Sequence, residues 1–334
     1  MMNEAVTHTL AADRSIKVAV WTSVGQPRVL EALAPARNVV VTAASTATGF
    51  CDALLEAEVA VTVGNGETYS TQIANCIRDS PTLRWVHLMS AGHEGLTQHG
   101  FPAQCLLTGP GEGVSAAVAE HALALLWALA RGLPRAQRQQ LQQHWDRGFA
   151  AETLTLSGKT LLIAGFGNLG RKIATLARAI GMYVIAVSYS GRASDGAHEV
   201  HATHCLRELL PRAHAVIDAL PLNPSTAGLF DQQAFACCRP GTLFVNVGRG
   251  GTVDHAALLH ALAARTLQAA ALDVVEHEPL AAADPLWLEP RVLLTPHIGG
   301  AGDRQAIERM AERFAANLHR YLRGEPLLDV LPRP

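Results

Sequence analysis

"KTLLIAGFGNLGRKIATLARAIGMYVIAVS", residues 159–188, decides the fold. An apolar strand, "KTLLIA", runs into the glycine turn Gly165-Phe166-Gly167-Asn168-Leu169-Gly170. That turn opens a helix, "GRKIATLARAIGM", and a second strand, "YVIAVS", follows. Each glycine suits a different need of dinucleotide binding: the tight turn, the approach of backbone to pyrophosphate, and the packing of helix on strand. The helix would then aim its free N–H groups and positive dipole end at the phosphates. Spaced glycines also occur in ordinary turns, so the flanking strand and helix carry the reading.

The same alternation extends outward. "IKVAVW", "NVVVT", "AEVAVTVG" and "LRWVHLMS" precede a long helical region, and "HAVIDAL", "TLFVNVG", "AAALDVV" and "RVLLTPH" follow the second strand. Strands alternating with helices indicate parallel sheets with crossover helices. At 334 residues the chain exceeds the length at which single cores tend to split, so two domains are expected. The hinge is expected near Thr108–Gly113. Beyond it "GVSAAVAEHALALLWALARGLPRA" reads as one long helix, N-capped by Ser115 and ended by Gly132-Leu133-Pro134. It is apolar over most of its surface, so burial between domains or subunits is expected. A final helix, Asp303 to about Leu322, should return to the first domain.

Half of the chain is apolar, 17% is charged and the net charge is -2, which gives no footprint for nucleic acid or an anionic membrane. The N-terminal stretch contains Glu4 and Asp13 and lacks the continuous apolar core of a signal peptide. A soluble, cytoplasmic protein is expected. The six cysteines show no zinc-type spacing and are expected to be buried or idle thiols. His198, His201, His204 and Cys205 lie near one another, but their spacing puts no tetrahedral set on one rigid element, and no metal is expected.

Three later segments each end an apolar run in a polar residue: "VNVGRGGTVD" with Arg249, "ALDVVEHEPL" with Glu278 and "LLTPHIGG" with His297. Singly, each reads as structural: a strand-end cap, a turn at Glu278-Pro279, a histidine among 15. Together they are what reduction of a 2-oxo acid requires. Histidine can give a proton near neutral pH, a carboxylate can orient its ring, and the arginine fork can grip a carboxylate.

Order and spacing of these segments resemble the D-isomer-specific 2-hydroxyacid dehydrogenases, of the glyoxylate/hydroxypyruvate reductase kind, from about Val59 onward. The resemblance implies a Rossmann-type doubly wound parallel sheet domain, residues 110–300. It also implies a smaller flavodoxin-like α/β substrate domain, discontinuous in sequence, from 1–109 and 301–334. An NAD(P)-dependent oxidoreductase acting on a small 2-oxo or 2-hydroxy acid is implied, with Arg249, Glu278 and His297 catalytic. Cofactor contacts are implied at Gly165, Gly167, Asn168, Leu169, Gly170, Pro221, Thr226, Val247, Gly248, Asp273 and Gly299. Ala91 and Gly92, in "HLMSAGHEGL", match the loop that receives the substrate carboxylate, although His93 and Glu94 depart from the family's usual residues there. Asn65-Gly66 is a second candidate for that wall. A homodimer through the Val114–Arg131 helix is also implied.

Where NAD-using relatives carry an acid, "YVIAVS" ends in Ser188, followed by Ser190 and Arg192. A 2′-phosphate would be repelled by an acid and welcomed by serines and an arginine, so NADP is expected in preference to NAD. A solvated turn is the alternative for Arg192. A dinucleotide-sensing corepressor shares fold and triad, but the chain ends soon after "YLRGEPLLDV", which favours an enzyme. Formate dehydrogenases carry glutamine where Glu278 stands; phosphite dehydrogenase shares the triad and stays an alternative.

Overall fold

The computed structural model describes residues 15–66, 68–192, 195–300 and 304–331. Two compact units divide at Met1–Gly113 with Asp303–Pro334, and Val114–Gly302. The N-terminal stretch with Glu4 and Asp13, and Asp303 at the expected start of the last helix, lie outside the described residues.

In the first unit, β1 (Ile16–Val20), α1 (Gln26–Leu33), β2 (Val39–Ala43), α2 (Ala47–Leu54) and β3 (Val59–Thr62) are followed by α3 (Thr71–Asp79), β4 (Trp85–Leu88), α4 (Glu94–His99) and β5 (Leu106–Thr108). The strands form one parallel sheet in the order β2-β1-β3-β4-β5. All four residues of β3 (Val-Ala-Val-Thr) and of β4 (Trp-Val-His-Leu) are buried, as in parallel strands covered on both faces. Phe50, Ile73, Ile77 and Leu96 fill one side, joined by Val86 and Leu88 of β4. "LLT" at β5 is too short to stand out from its flanks, and sequence reading passed over it.

The second unit runs α5 (Ser115–Ala130), α6 (Leu133–Leu141), β6 (Thr160–Ala164), α7 (Asn168–Ala179), β7 (Tyr183–Ser188), β8 (Glu199–Ala202), α8 (Leu206–Leu209), β9 (Ala215–Asp218), α9 (Gln232–Ala236), β10 (Thr242–Asn246), α10 (His255–Ala263), β11 (Leu267–Leu272) and β12 (Val292–Leu294). Its seven strands are parallel, in the order β12-β11-β10-β9-β6-β7-β8. Strand order reverses between β6 and β9, the switch point where such sheets open a crevice at their carboxyl ends. One face buries Leu162, Val216, Phe244 and Leu272 beside Phe235 of α9 and Leu258 and Leu262 of α10. The other buries Leu161, Ile163, Ile217 and Val245 with α5 and α7. The strand β8, whose four residues are all half-buried, was another that pattern reading missed.

Two expectations need correction, and a third is incomplete. The long helix ends at Ala130, just before Gly132-Leu133-Pro134 as expected, but Gly132 in the left-handed region turns the chain by 66° into a further helix, α6, with Pro134 near its start. Proline is tolerated in a first helical turn because its missing N–H has no partner there, so Gly-Leu-Pro marks a corner between helices. Ser115 is the first residue of α5, and the capping position is Val114. Cys51 of α2 and Cys76 of α3 form a disulfide, with their Cα atoms 5.4 Å apart, while Cys105, Cys205, Cys237 and Cys238 are free. Twenty-five residues separate that pair in sequence, so spacing could not show two helices bringing them together.

The last helix, α11 (Arg304–Leu322), belongs to the first unit and packs against α1. Phe314 lies against Trp85 and His87 of β4, with ring centroids 5.4 and 5.0 Å apart. Among the described residues no single helix is long and apolar enough to cross a membrane, and no three His, Cys, Asp or Glu residues form a metal site.

His87 sits fully buried with Nδ1 2.8 Å from the Thr108 hydroxyl and, among the described residues, no partner for Nε2. Burial pushes its pKa down to about 3. As pH falls below about 6.5 the unfolded chain takes a proton that the folded one refuses until about 3. Unfolding free energy should therefore drop on acidification through that window, by about 1.4 kcal/mol per pH unit from this group. Denaturant titrations of the parent and His87→Leu at several pH values check this. Identical pH slopes would mean His87 contributes nothing.

Candidate active site

The glycine turn stands at the switch point. Gly165, at φ +98°, lies so near the segment after β9 that a Cβ would fall 2.6 Å from the Ala219 carbonyl oxygen. At Gly170 a Cβ would sit 2.0 Å from the Gly165 oxygen, so helix and turn close only on glycine. Gly167 differs: a Cβ there would meet nothing within 4 Å. Packing does not require that glycine, and it leaves an uncovered backbone cradle where α7 begins without a side-chain cap. A pyrophosphate fits such a cradle. Asn168 accepts from Arg171 (Nη2–Oδ1 3.0 Å), and Leu169 packs at the edge of the core.

At the end of β7, Ser188 Oγ accepts from the Gly191 N–H at 3.2 Å and Ser190 Oγ from the Arg192 N–H at 3.4 Å. Arg192 is exposed. The loop after β9 is closed by Thr226, whose hydroxyl donates to the Pro221 carbonyl at 2.6 Å and accepts from the Asn223 N–H at 2.9 Å. Val247 is buried, and Gly248 passes so near Leu220 that a Cβ would be 2.7 Å from its carbonyl oxygen.

Arg249, Glu278 and His297 follow β10, β11 and β12, three neighbours in the sheet. The Arg249 guanidinium donates through Nη1 to the Gly248 carbonyl at 2.7 Å. His297 Nδ1 lies 2.7 Å from Glu278 Oε2, and Glu278 Oε1 accepts from the Val275 N–H at 3.2 Å. The carboxylate thus holds Nδ1 and leaves Nε2 for chemistry. The His297 pKa is raised, first by the hydrogen bond to Glu278, against the opposing effect of burial. Burial alone would raise Glu278, but His297 and the Val275 N–H together take it below the usual carboxylate range.

His297 stands at φ 52°, a left-handed conformation that costs a non-glycine residue energy and must be held by its surroundings. Asp273 holds it. The Asp273 carbonyl accepts the His297 N–H at 2.8 Å, and its buried carboxylate accepts the Ile298 and Gly299 N–H groups at 3.0 and 2.9 Å and the Thr295 hydroxyl at 2.6 Å. His121 of α5 completes this clamp, with Nε2 3.1 Å from Thr295 Oγ1 and 3.2 Å from Asp273 Oδ1. Sequence reading singled out neither His121 nor Thr295. The available signal was the Glu120-His121 pair on a helix otherwise apolar after Ser115.

In the first unit, Ala91 and Gly92 follow β4. Ser90 Oγ accepts from the Gly64 N–H at 2.9 Å and donates to the Gly92 carbonyl at 2.7 Å, tying this loop to the one carrying Asn65-Gly66. Among the described residues nothing accepts from the Ala91 or Gly92 N–H. His93 turns its Nδ1 toward the Ala91 carbonyl at 3.2 Å.

Comparison with known proteins agrees with this geometry. Residues 123–299 match the family described as D-isomer specific 2-hydroxyacid dehydrogenase, NAD binding domain. A glyoxylate reductase of Pyrococcus furiosus is 33% identical over 255 residues, 74% of this chain and 75% of that protein. The D-3-phosphoglycerate dehydrogenase of Mycobacterium bovis is 33% identical over 264 residues, 78% of this chain and 49% of that protein. The chain thus spans about half the length of the phosphoglycerate dehydrogenases that it matches. A D-isomer specific 2-hydroxyacid dehydrogenase of Xanthobacter autotrophicus Py2, solved in complex with NADPH and MES, is 26% identical with a TM-score of 0.81 over 95% of this chain and 98% of that one. A family protein of Aeromonas salmonicida gives 27%, 0.80, 96% and 99%. The chain belongs to the D-isomer specific 2-hydroxyacid dehydrogenase family, and its second unit is a Rossmann domain that binds NAD(P).

Proposed function

We propose that this protein is an NAD(P)-dependent D-2-hydroxyacid dehydrogenase that reduces a small 2-oxo acid of the glyoxylate/hydroxypyruvate class. The observation that carries the reading is the His297–Glu278 pair, 2.7 Å apart with the imidazole pKa raised, one strand away from the arginine turn. When bound, the reduced nicotinamide supplies a hydride for the carbonyl carbon. His297 gives its Nε2 proton to the carbonyl oxygen as that oxygen becomes a hydroxyl, and Glu278 stays ionised to steady the imidazole. Arg249 grips the substrate carboxylate. Ala91 and Gly92 are the first unit's candidates for carboxylate binding.

Reduction needs His297 protonated, so its rate should fall as pH rises through the raised pKa. Glu278→Gln removes the largest raising influence and should shift that alkaline limb of kcat/KM to lower pH. A limb that does not move would show that Glu278 has no hold on the proton.

NADPH is the proposed reductant. Ser188 stands where an acid would repel the 2′-phosphate, and the exposed Arg192 is close by in sequence. Absorbance at 340 nm with glyoxylate, hydroxypyruvate and other 2-oxo acids, each with NADPH and NADH, tests substrate class and cofactor together. Ser188→Asp should move the preference toward NADH. No oxidation of either cofactor by any 2-oxo acid would refute the function, and a clear preference of the parent for NADH would refute the cofactor assignment.

A homodimer around Val114–Arg131 is proposed as well. The apolar surface of α5 is covered largely inside its own unit by α7, β10 and β11. What supports a partner is the run of exposed apolar side chains around it: Trp127, Leu133, Leu141 and Trp145, the last 94% exposed. A monomeric mass by light scattering would contradict it.

A further inference from the structure

Asp218 ends β9 on the same sheet face as Val216, with no exposed surface and, among the described residues, no cation against it. Its Oδ1 accepts from the Leu220 N–H at 3.0 Å, and Oδ2 lies 2.5 Å from Thr252 Oγ1. Thr252 Oγ1 is also 2.6 Å from the carbonyl oxygen of Arg249. Two oxygen–oxygen contacts of this length need a proton each, and the threonine hydroxyl has one. The second proton has a single place to be, the Asp218 carboxyl.

We infer that Asp218 is a protonated positioning residue that, through Thr252, holds the backbone of Arg249 for the substrate carboxylate. The role in binding rests on the function proposed above; the proton does not. In this arrangement the carboxyl O–H donates to Thr252 Oγ1, and the Thr252 hydroxyl donates to the Arg249 carbonyl. Asn246, paired in register with Asp218 on β10, adds a third support: its Nδ2 donates to the same carbonyl at 3.1 Å while Oδ1 accepts the Gly248 N–H at 2.9 Å. On the other side β6 presents Ala164.

Burial is the leading influence on Asp218, pushing its pKa up to about 7 against hydrogen bonds from Thr252 and Leu220 that favour the anion. The titratable groups on the surrounding elements, Arg249 in the turn, Asp231 before α9 and Asp254, His255 and His260 around α10, do not figure among those influences. When the carboxyl ionises it becomes an acceptor only. The Thr252 hydroxyl must then turn to it, and the Arg249 carbonyl loses that bond. Grip on the 2-oxo acid should weaken above neutral pH, separately from the loss of the His297 proton.

Infrared difference spectra of the parent against Asp218→Asn, in mildly acidic buffer, test the proton without any turnover. The parent should show the carbonyl stretch of a protonated carboxylic acid, absent from the variant and fading as pH passes about 7. With saturating reduced cofactor, the KM for glyoxylate should rise about fivefold over the same interval in the parent, the worth of one hydrogen bond. It should stay flat in Asp218→Asn, whose amide N–H goes on donating to Thr252. Thr252→Val, which has no hydroxyl to switch, should show the raised KM at every pH. A parent without the acid band overturns the inference. So does a KM in Asp218→Asn that climbs with pH as the parent's does, or a Thr252→Val variant with the parent's KM in acid. Should no 2-oxo acid be reduced, the functional reading falls, and the infrared band alone upholds or refutes the proton on Asp218.

Discussion

His297→Gln is expected to lower turnover of a 2-oxo acid by about 10²–10⁴-fold, the usual contribution of a positioned acid–base group. Glutamine can keep a hydrogen bond toward Glu278, 2.7 Å from the imidazole in the parent, but it has no proton to give near neutral pH. Cofactor affinity should be retained, because the cradle at Gly167 and the turn at Gly165 lie at the switch point, across β11, β10 and β9 from the histidine. Steady-state turnover with a fluorescence titration of NADPH measures both. Turnover near that of the parent in a folded variant would remove His297 from the mechanism.

Arg249→Lys is expected to cost about 10–100-fold in kcat/KM, through a higher KM and a lower kcat together. The guanidinium donates to the Gly248 carbonyl at 2.7 Å, and its planar fork has the geometry that matches a carboxylate. A lysine ammonium is a point charge on a flexible stem and cannot reproduce the fork. Unchanged kinetics would make the arginine a cap on its own turn.

The alternation of apolar runs was enough to read most strands, because a strand buried on both faces leaves an unbroken apolar signature. Strands β5 and β8 lacked it: one has three residues, and the other, "EVHA", is half-polar. Pattern also could not distinguish a helix that stops from one that turns a corner, so the bend at Gly132 went unread. At the site, the groups facing the chemistry were legible and those behind them were not. Arg249, Glu278 and His297 stand out because polar residues ending apolar runs are unusual. Asp218, Thr252 and His121 act by contacts with residues 34, 3 and 174 positions away, and nothing in local sequence announces such pairs. The resemblance implies a cofactor contact at Thr226, and local sequence does not show that its buried hydroxyl also closes its own loop.

The packing of α11 onto β4 has a consequence for synthesis. Trp85 and His87 present their rings to Phe314, and Asn317 pins the segment at Leu328 with bonds of 2.9 and 2.8 Å, while the Gly109 N–H donates to Asp329 at 3.0 Å. None of these partners exists when β1 to β5 leave the ribosome. The sheet made first must wait for the intervening unit of about 190 residues, on the order of 10–40 s of elongation, with one apolar face uncovered. Val114–Gly302 is continuous and can close on itself meanwhile. The order of completion is therefore the reverse of the order of translation, and the nascent first sheet is the surface a chaperone would have to shield.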